Sequence, residues 1–144
     1  MVMAKIAKHT LTWDDEIDYD LIGICCHQKD YRLCWTINDH LGFMLAKVDE
    51  PFMVSGKKGE LISSHSFYAW TDEANYAQYY LIKNKDNSKF LIPEKAQIDY
   101  FLVIQDAGVV ELDVLLTQLK EISSILTALI IDPASLPSKN RLIF

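Results

Sequence analysis

Apolar and polar positions alternate along this chain with two different periods. Tyr19–Cys26 (YDLIGICC) is a short, β-compatible apolar run and predicts a strand despite Gly23. From Asp30 to Leu41 the period changes: Leu33, Ile37 and Leu41 recur every four residues with Cys34 beside them, which predicts a helix. Asp30 suits its positive end, and Gly42 suits the left-handed position just past its last turn. Phe43–Val48 begins another strand that Pro51 interrupts.

The middle of the chain reads as antiparallel strands. GKKG at 56–59 is a turn signal, and Leu61–Trp70 places Ile62, Tyr68 and Trp70 on one face. Thr71–Asn75 is a loop, Tyr76–Lys83 (YAQYYLIK) an aromatic strand, and Asn84–Lys89 (NKDNSK) a polar turn. Phe90–Ile92 is a short strand stopped by Pro93. Ile98–Gln105 (IDYFLVIQ) is apolar at consecutive positions, as a buried central strand is. Glu111–Ser123 carries the stripe Leu112, Leu115, Leu116, Leu119 and Ile122 of an amphipathic helix. Leu126–Ile131 reads as a last strand, with continuation of the helix as the alternative. His9–Trp13 alternates as a short N-terminal strand would.

Strand, helix, strand at 19–54 is echoed at 98–131. The expected architecture is one α+β domain over 1–144: a ferredoxin-like two-layer sandwich of two βαβ units, with an inserted antiparallel section at 61–92. Both helices would cover one face of the sheet and leave the other for an extension, a partner or a ligand. Residues 133–144 form a tail ending in Leu142-Ile143-Phe144, which docks either on its own domain or on a second copy.

Composition narrows the function classes. The 144 residues carry a net charge of −6, of which the stretch DDEIDYD at 14–20 holds five acids and no base. The body is therefore nearly neutral, and the acidic stretch reads as a solvated connection or a docking strip for a basic partner. Lys57-Lys58 and Lys83–Lys89 are too small to form the basic face of a nucleic-acid binder, so no direct nucleic-acid partner is expected. The chain shows no run long and apolar enough for a membrane span, and no apolar leader precedes a small-residue cleavage site. Three cysteines, Cys25, Cys26 and Cys34, point to reduced thiols and a cytoplasmic location.

No spacing supports a catalytic or metal centre. Cys25 and Cys26 point to opposite faces of a strand, and Cys34 and His40 diverge on a helix, so Cys25, Cys26, His27, Cys34 and His40 are not expected to form a zinc site. His65 lies on a polar strand without an evident acid partner and reads as exposed or half-buried. There is no phosphate-cradling loop, and no cofactor is expected. Two candidate groups remain. Glu94, Asp99 and Tyr100 flank a proline-initiated turn, where they either cap backbone groups or contact a ligand. Trp70, Tyr79 and Tyr80 belong to a dense aromatic sheet, with Tyr79 and Tyr80 on opposite faces, so one of them is exposed or sits at an interface; the set either packs within the sheet or forms an interface or ligand surface.

Residues 92–100 read IPEKAQIDY. This resembles the signature of the bacterial IPExxVDY family, with Ile98 where the signature has Val. LIGI at 21–24, KDYRLCWTIN at 29–38 and IDPASL at 131–136 resemble that family too. The resemblance implies a small cytoplasmic bacterial protein and assigns no residue a role. Together these readings favour a non-enzymatic binding or adaptor module that self-associates through a sheet face or edge. The alternative is a small-ligand-binding regulatory domain of ferredoxin-like type, with its pocket near Glu94, Asp99 and Tyr100. An enzyme is disfavoured but stays open.

Overall fold

The computed structural model describes residues 19–106 and 109–142. The strand expected at His9–Trp13, and residues 14–18 of the acidic stretch, lie outside them. Among the described residues, ten strands and two α-helices follow in the order β1 (Asp20–Cys26), α1 (Asp30–Leu41), β2 (Ala46–Lys47), β3 (Phe52–Ser55), β4 (Leu61–His65), β5 (Phe67–Asp72), β6 (Ala77–Lys83), β7 (Lys85–Asp86), β8 (Lys89–Phe90), β9 (Tyr100–Asp106), α2 (Leu112–Lys120) and β10 (Ile125–Ile131). No helix among the described residues is long and apolar enough to cross a membrane.

The helix limits follow local chemistry. In α1, Leu33, Cys34 and Ile37 form the buried stripe. Gly42 ends the helix in the left-handed conformation at φ 75°, its N–H bonded to the Asn38 carbonyl. The Asn38 side chain then takes both backbone groups of Leu45, Oδ1 from its N–H and Nδ2 to its carbonyl, each at 3.0 Å. That clamp turns the chain back toward the sheet. Residues 125–131 form a strand rather than a continuation of α2.

Six strands make one antiparallel sheet in the order β10-β1-β9-β6-β5-β2. β1 lies between two late strands: Leu21 pairs with Val103 on one side and Ile131 on the other. β9 and β10 therefore run in the same direction on either side of β1, joined through α2. β6, part of the expected insertion, pairs with β9 and runs in the direction of β1. The strand expected after α1 is reduced to Ala46–Lys47 at the far edge, paired with β5. The reason is apolar content. β6 presents Tyr79 and Leu81 to one face and Tyr80 and Ile82 to the other, whereas Ala46 and Lys47 are both exposed.

Leu61–Trp70 is not one strand. It breaks at Ser66, whose N–H bonds Asp86 Oδ2 at 3.0 Å. β4 leaves the main sheet to pair with β3, while β5 stays in it. Tyr68 and Trp70 share a face as expected, but Ile62 is on a separate hairpin. The polar turn at 84–89 is itself a hairpin of β7 and β8, with Asn87 and Ser88 both at positive φ (51° and 67°). This is the backbone geometry of a two-residue type I′ connection.

Both helices cover the same face. Ile22, Ile24, Tyr79, Leu81, Leu102 and Ile104 meet Leu33 and Ile37 of α1 and Leu115 and Leu119 of α2. Of the occupants expected for the opposite face, an extension of the chain itself is the one found there. Leu21, Ile82, Phe101, Val103 and Ile131 pack there against Leu91, Ile92 and Ile98, and against Leu136 and Leu142 of the tail. The tail docks on its own chain as far as Leu142, with Ile143 and Phe144 lying outside the described residues: Arg141 Nη1 donates to the carbonyls of Phe90 (3.2 Å) and Leu91 (3.1 Å). Apolar side chains project from both faces of the central strands, so each face must be covered if those groups are to leave water.

Candidate functional site

The segment 84–100 is organised around Asn84, which is fully buried. Its Oδ1 accepts from the Ile92 N–H at 2.9 Å, and its Nδ2 donates to the carbonyls of Lys95 (3.0 Å) and Ile98 (2.8 Å). Its backbone N–H reaches the Asp99 carbonyl, and its carbonyl accepts from Leu91. Asn84 therefore satisfies the polar backbone of a turn that is buried against the sheet. A polar residue next to the lysine-rich hairpin gave no sign of this, because a solvated turn reads identically in composition.

Each candidate around this turn holds a defined partner. Glu94, exposed on the second face, accepts from the Ser138 N–H at 2.7 Å and the Ser138 hydroxyl at 2.9 Å. Partial burial raises its carboxyl pKa; the bonds from Ser138 and its own amide, with the Arg141 charge, outweigh that and leave it below the ordinary value. Asp99 Oδ2 accepts from the Cys26 N–H at 2.8 Å where β1 ends. Tyr100 lies on the helix face, and its hydroxyl donates to the Gln28 carbonyl at 2.6 Å. Burial, then the nearby Asp30 carboxylate, raises the Tyr100 pKa, which keeps the hydroxyl protonated and donating. Asp99 and Tyr100 thus meet around the end of β1, whereas Glu94 holds the tail.

The aromatic candidates separate in the same way. Trp70 and Tyr79 stack with ring centroids 5.3 Å apart and planes 15° apart, and Phe43 packs on both. Tyr79 is buried; burial raises its pKa, with the Asp72 and Asp106 charges adding to the effect. Tyr80 is half-buried on the opposite face, and its hydroxyl donates to Gln78. The expected opposition of Tyr79 and Tyr80 is present.

His65 differs from its expected exposure: it is fully buried, with Nε2 2.8 Å from the Ser63 hydroxyl. The β3–β4 hairpin folds over β7 and β8 and encloses it. Burial lowers its pKa, partly offset by the Asp86 carboxylate. The cysteines are free thiols, and burial raises the pKa of all three, Cys34 to about 11.

Three surface features complete the picture. At one end of the sheet, Cys26, His27, Lys29, Lys83, Lys85 and Tyr100 line an open cleft of about 440 Å³ with Asp99 and Gln28. On the outer side of α1, Tyr31 and Trp35 are 57% and 65% exposed beside Arg32. Their position off the Leu33–Ile37 stripe is visible in the helical periodicity of the sequence. At the sheet edge, Leu126, Leu129 and Ile130 of β10 are exposed. Among the described residues, no group of three or more His, Cys, Asp or Glu side chains could hold a metal ion.

These features define an α+β protein with a mostly antiparallel sheet and two helices on one face. No family, no curated protein and no solved structure matches the chain in comparison.

Proposed function

We propose that this protein is a non-enzymatic binding module that self-associates through the free edge of β10. The observation that carries the reading is the contrast between the two sheet edges. The β2 edge is two residues long and carries Lys47, which discourages pairing. The β10 edge is seven residues long, ILTALII, with no charge, proline or glycine. Among the described residues it pairs only with β1. An uncharged apolar strand edge offers backbone donors and acceptors to a further strand.

A second copy is the occupant the sequence suits. Centred on Ala128, antiparallel self-pairing sets Leu126 against Ile130, Thr127 against Leu129, and Ile125 against Ile131. Every pair joins uncharged side chains with no like-charge contact. Both sheet faces are already occupied by the chain itself, so an edge, rather than a face, is the route this reading takes. The strand order β10-β1-β9-β6 also supports the ferredoxin-like reading, with β6 as the second strand of the first unit. The proposal includes kinship with the IPExxVDY family on the residues 92–100, and a reducing, cytoplasmic location, which the three free thiols favour.

Light scattering of the full chain, joined to amide exchange, tests the reading. A dimer is expected, converted to a folded monomer by Leu126→Lys with Leu129→Lys. A wild-type monomer overturns it, including one whose β10 amides are protected by residues 1–18. A dimer that survives both substitutions also overturns it.

A further inference from the structure

We propose that the cleft at the end of β1 binds a small phosphorylated molecule, through Lys29, Lys83 and Lys85. The inference is independent of the β10 edge. Three separate parts of the chain build the cleft. β1 runs out at Cys26 into His27–Lys29, β9 begins at Tyr100 beside it, and Lys83 ends β6 opposite Tyr100. Lys85 follows from β7. The register of the sheet therefore brings Lys29 to the same opening as Lys83 and Lys85, more than fifty residues further along the chain.

These charges are not used for the fold. Among the described residues, the only ion pair is His40 with Glu121, so none of the three lysines has a carboxylate partner. Lys85 lies over the Phe90 ring at 5.7 Å, a contact that leaves its charge uncompensated. The one carboxylate in the cleft, Asp99, already accepts the Cys26 N–H. Asp99 lines the cleft and the Asp30 carboxylate acts on its Tyr100 wall, so three unpaired lysines against two carboxylates leave a local positive excess in a chain of net charge −6.

The chemistry selects the ligand class. Lysine acts as a compact point charge suited to phosphate, and three of them match a group bearing two or more negative charges better than a single carboxylate. A volume of about 440 Å³ falls within the range of small-molecule sites and exceeds what a bare ion requires. The tyrosine hydroxyl is committed to the Gln28 carbonyl, so Tyr100 shapes the wall and the lysines supply the attraction.

Titration of the full chain with inorganic pyrophosphate at constant ionic strength, followed by amide NMR, tests this site. Saturable one-to-one shifts are expected at residues 26–30, 83–85 and 99–100, with affinity falling about tenfold or more in Lys83→Gln with Lys85→Gln. Lys57→Gln with Lys58→Gln, on the β3–β4 turn, is expected to leave binding unchanged. The spectra report folding of each variant directly. No saturable shift at about millimolar pyrophosphate overturns the site. So do equal shifts with chloride, or equal losses in the two double variants.

Discussion

Glu94 receives both the backbone N–H and the hydroxyl of Ser138, so one carboxylate fastens the tail to the turn that precedes β9. Glu94→Ala is expected to expose residues 132–142 to proteases without changing the secondary structure seen by circular dichroism. The effect has a pH counterpart. The folded carboxyl titrates below its ordinary value, so its contribution is present above the ordinary carboxylate range and is lost as pH falls through the lowered one. Protection of the Ser138 amide should fall over that acidic window in the wild type and be absent throughout in the variant.

Asn84→Ala removes three side-chain hydrogen bonds in a site closed to water. The Ile92 N–H and the Ile98 carbonyl are left without partners, while the Lys95 carbonyl keeps the Ile98 N–H. Because each unsatisfied buried group costs about 1–3 kcal/mol, a loss of about 2 kcal/mol or more is expected in urea unfolding. A change below about 1 kcal/mol would mean that water replaces the amide and that the turn is less enclosed than its burial indicates.

Gly23 sits where the second face closes on β1. A Cβ there would come within 2.8 Å of Ile131 Cδ1 and 2.9 Å of Ile98 Cδ1. Gly23→Ala should therefore destabilise the protein by about 1–3 kcal/mol through overpacking. Ile98→Val removes one of the two obstructing methyls. The double variant is expected to be no less stable than Gly23→Ala alone, and simple addition of the two losses would refute a direct clash.

His65 gives the fold a pH dependence near neutrality. Its folded pKa is lowered by burial, so the unfolded chain binds the proton more readily below about pH 6.5. Stability contributed by the neutral ring is present above that pH and declines as pH falls toward the folded value, by at most about 1.4 kcal/mol per unit. Denaturant midpoints at pH 7.5 and 5.5 should differ in the wild type and converge in His65→Gln, provided the variant retains its native spectrum.

Periodicity made much of this architecture legible. The limits of α1 were readable from Asp30, the Leu33–Ile37–Leu41 stripe and Gly42, because each is a local requirement of helix geometry. β1, β6 and β9 were readable from their apolar runs. The place of β6 beside β9 was not, because pairing partners are chosen by competition among strands distant in sequence. The break at Ser66 and the burial of Asn84 and His65 were hidden for the same reason. A polar residue is buried when other segments close over it, and its own neighbours in sequence do not encode that. Within the candidate site, Asp99 and Tyr100 were found from their turn, but Lys29 and Lys83 join them only through the sheet register.

β1 has consequences for how the chain reaches this state. Both of its neighbours, β9 and β10, come from the far part of the sequence. The centre of the sheet therefore forms by closing long loops, which places folding with the slow, high-contact-order topologies rather than with helical bundles. Until β9 arrives, the uncharged segment LIGICC has two vacant edges and no cover, a state prone to aggregation during synthesis. A chaperone that shields residues 21–26 of the nascent chain would cover both vacant edges until β9 and β10 arrive.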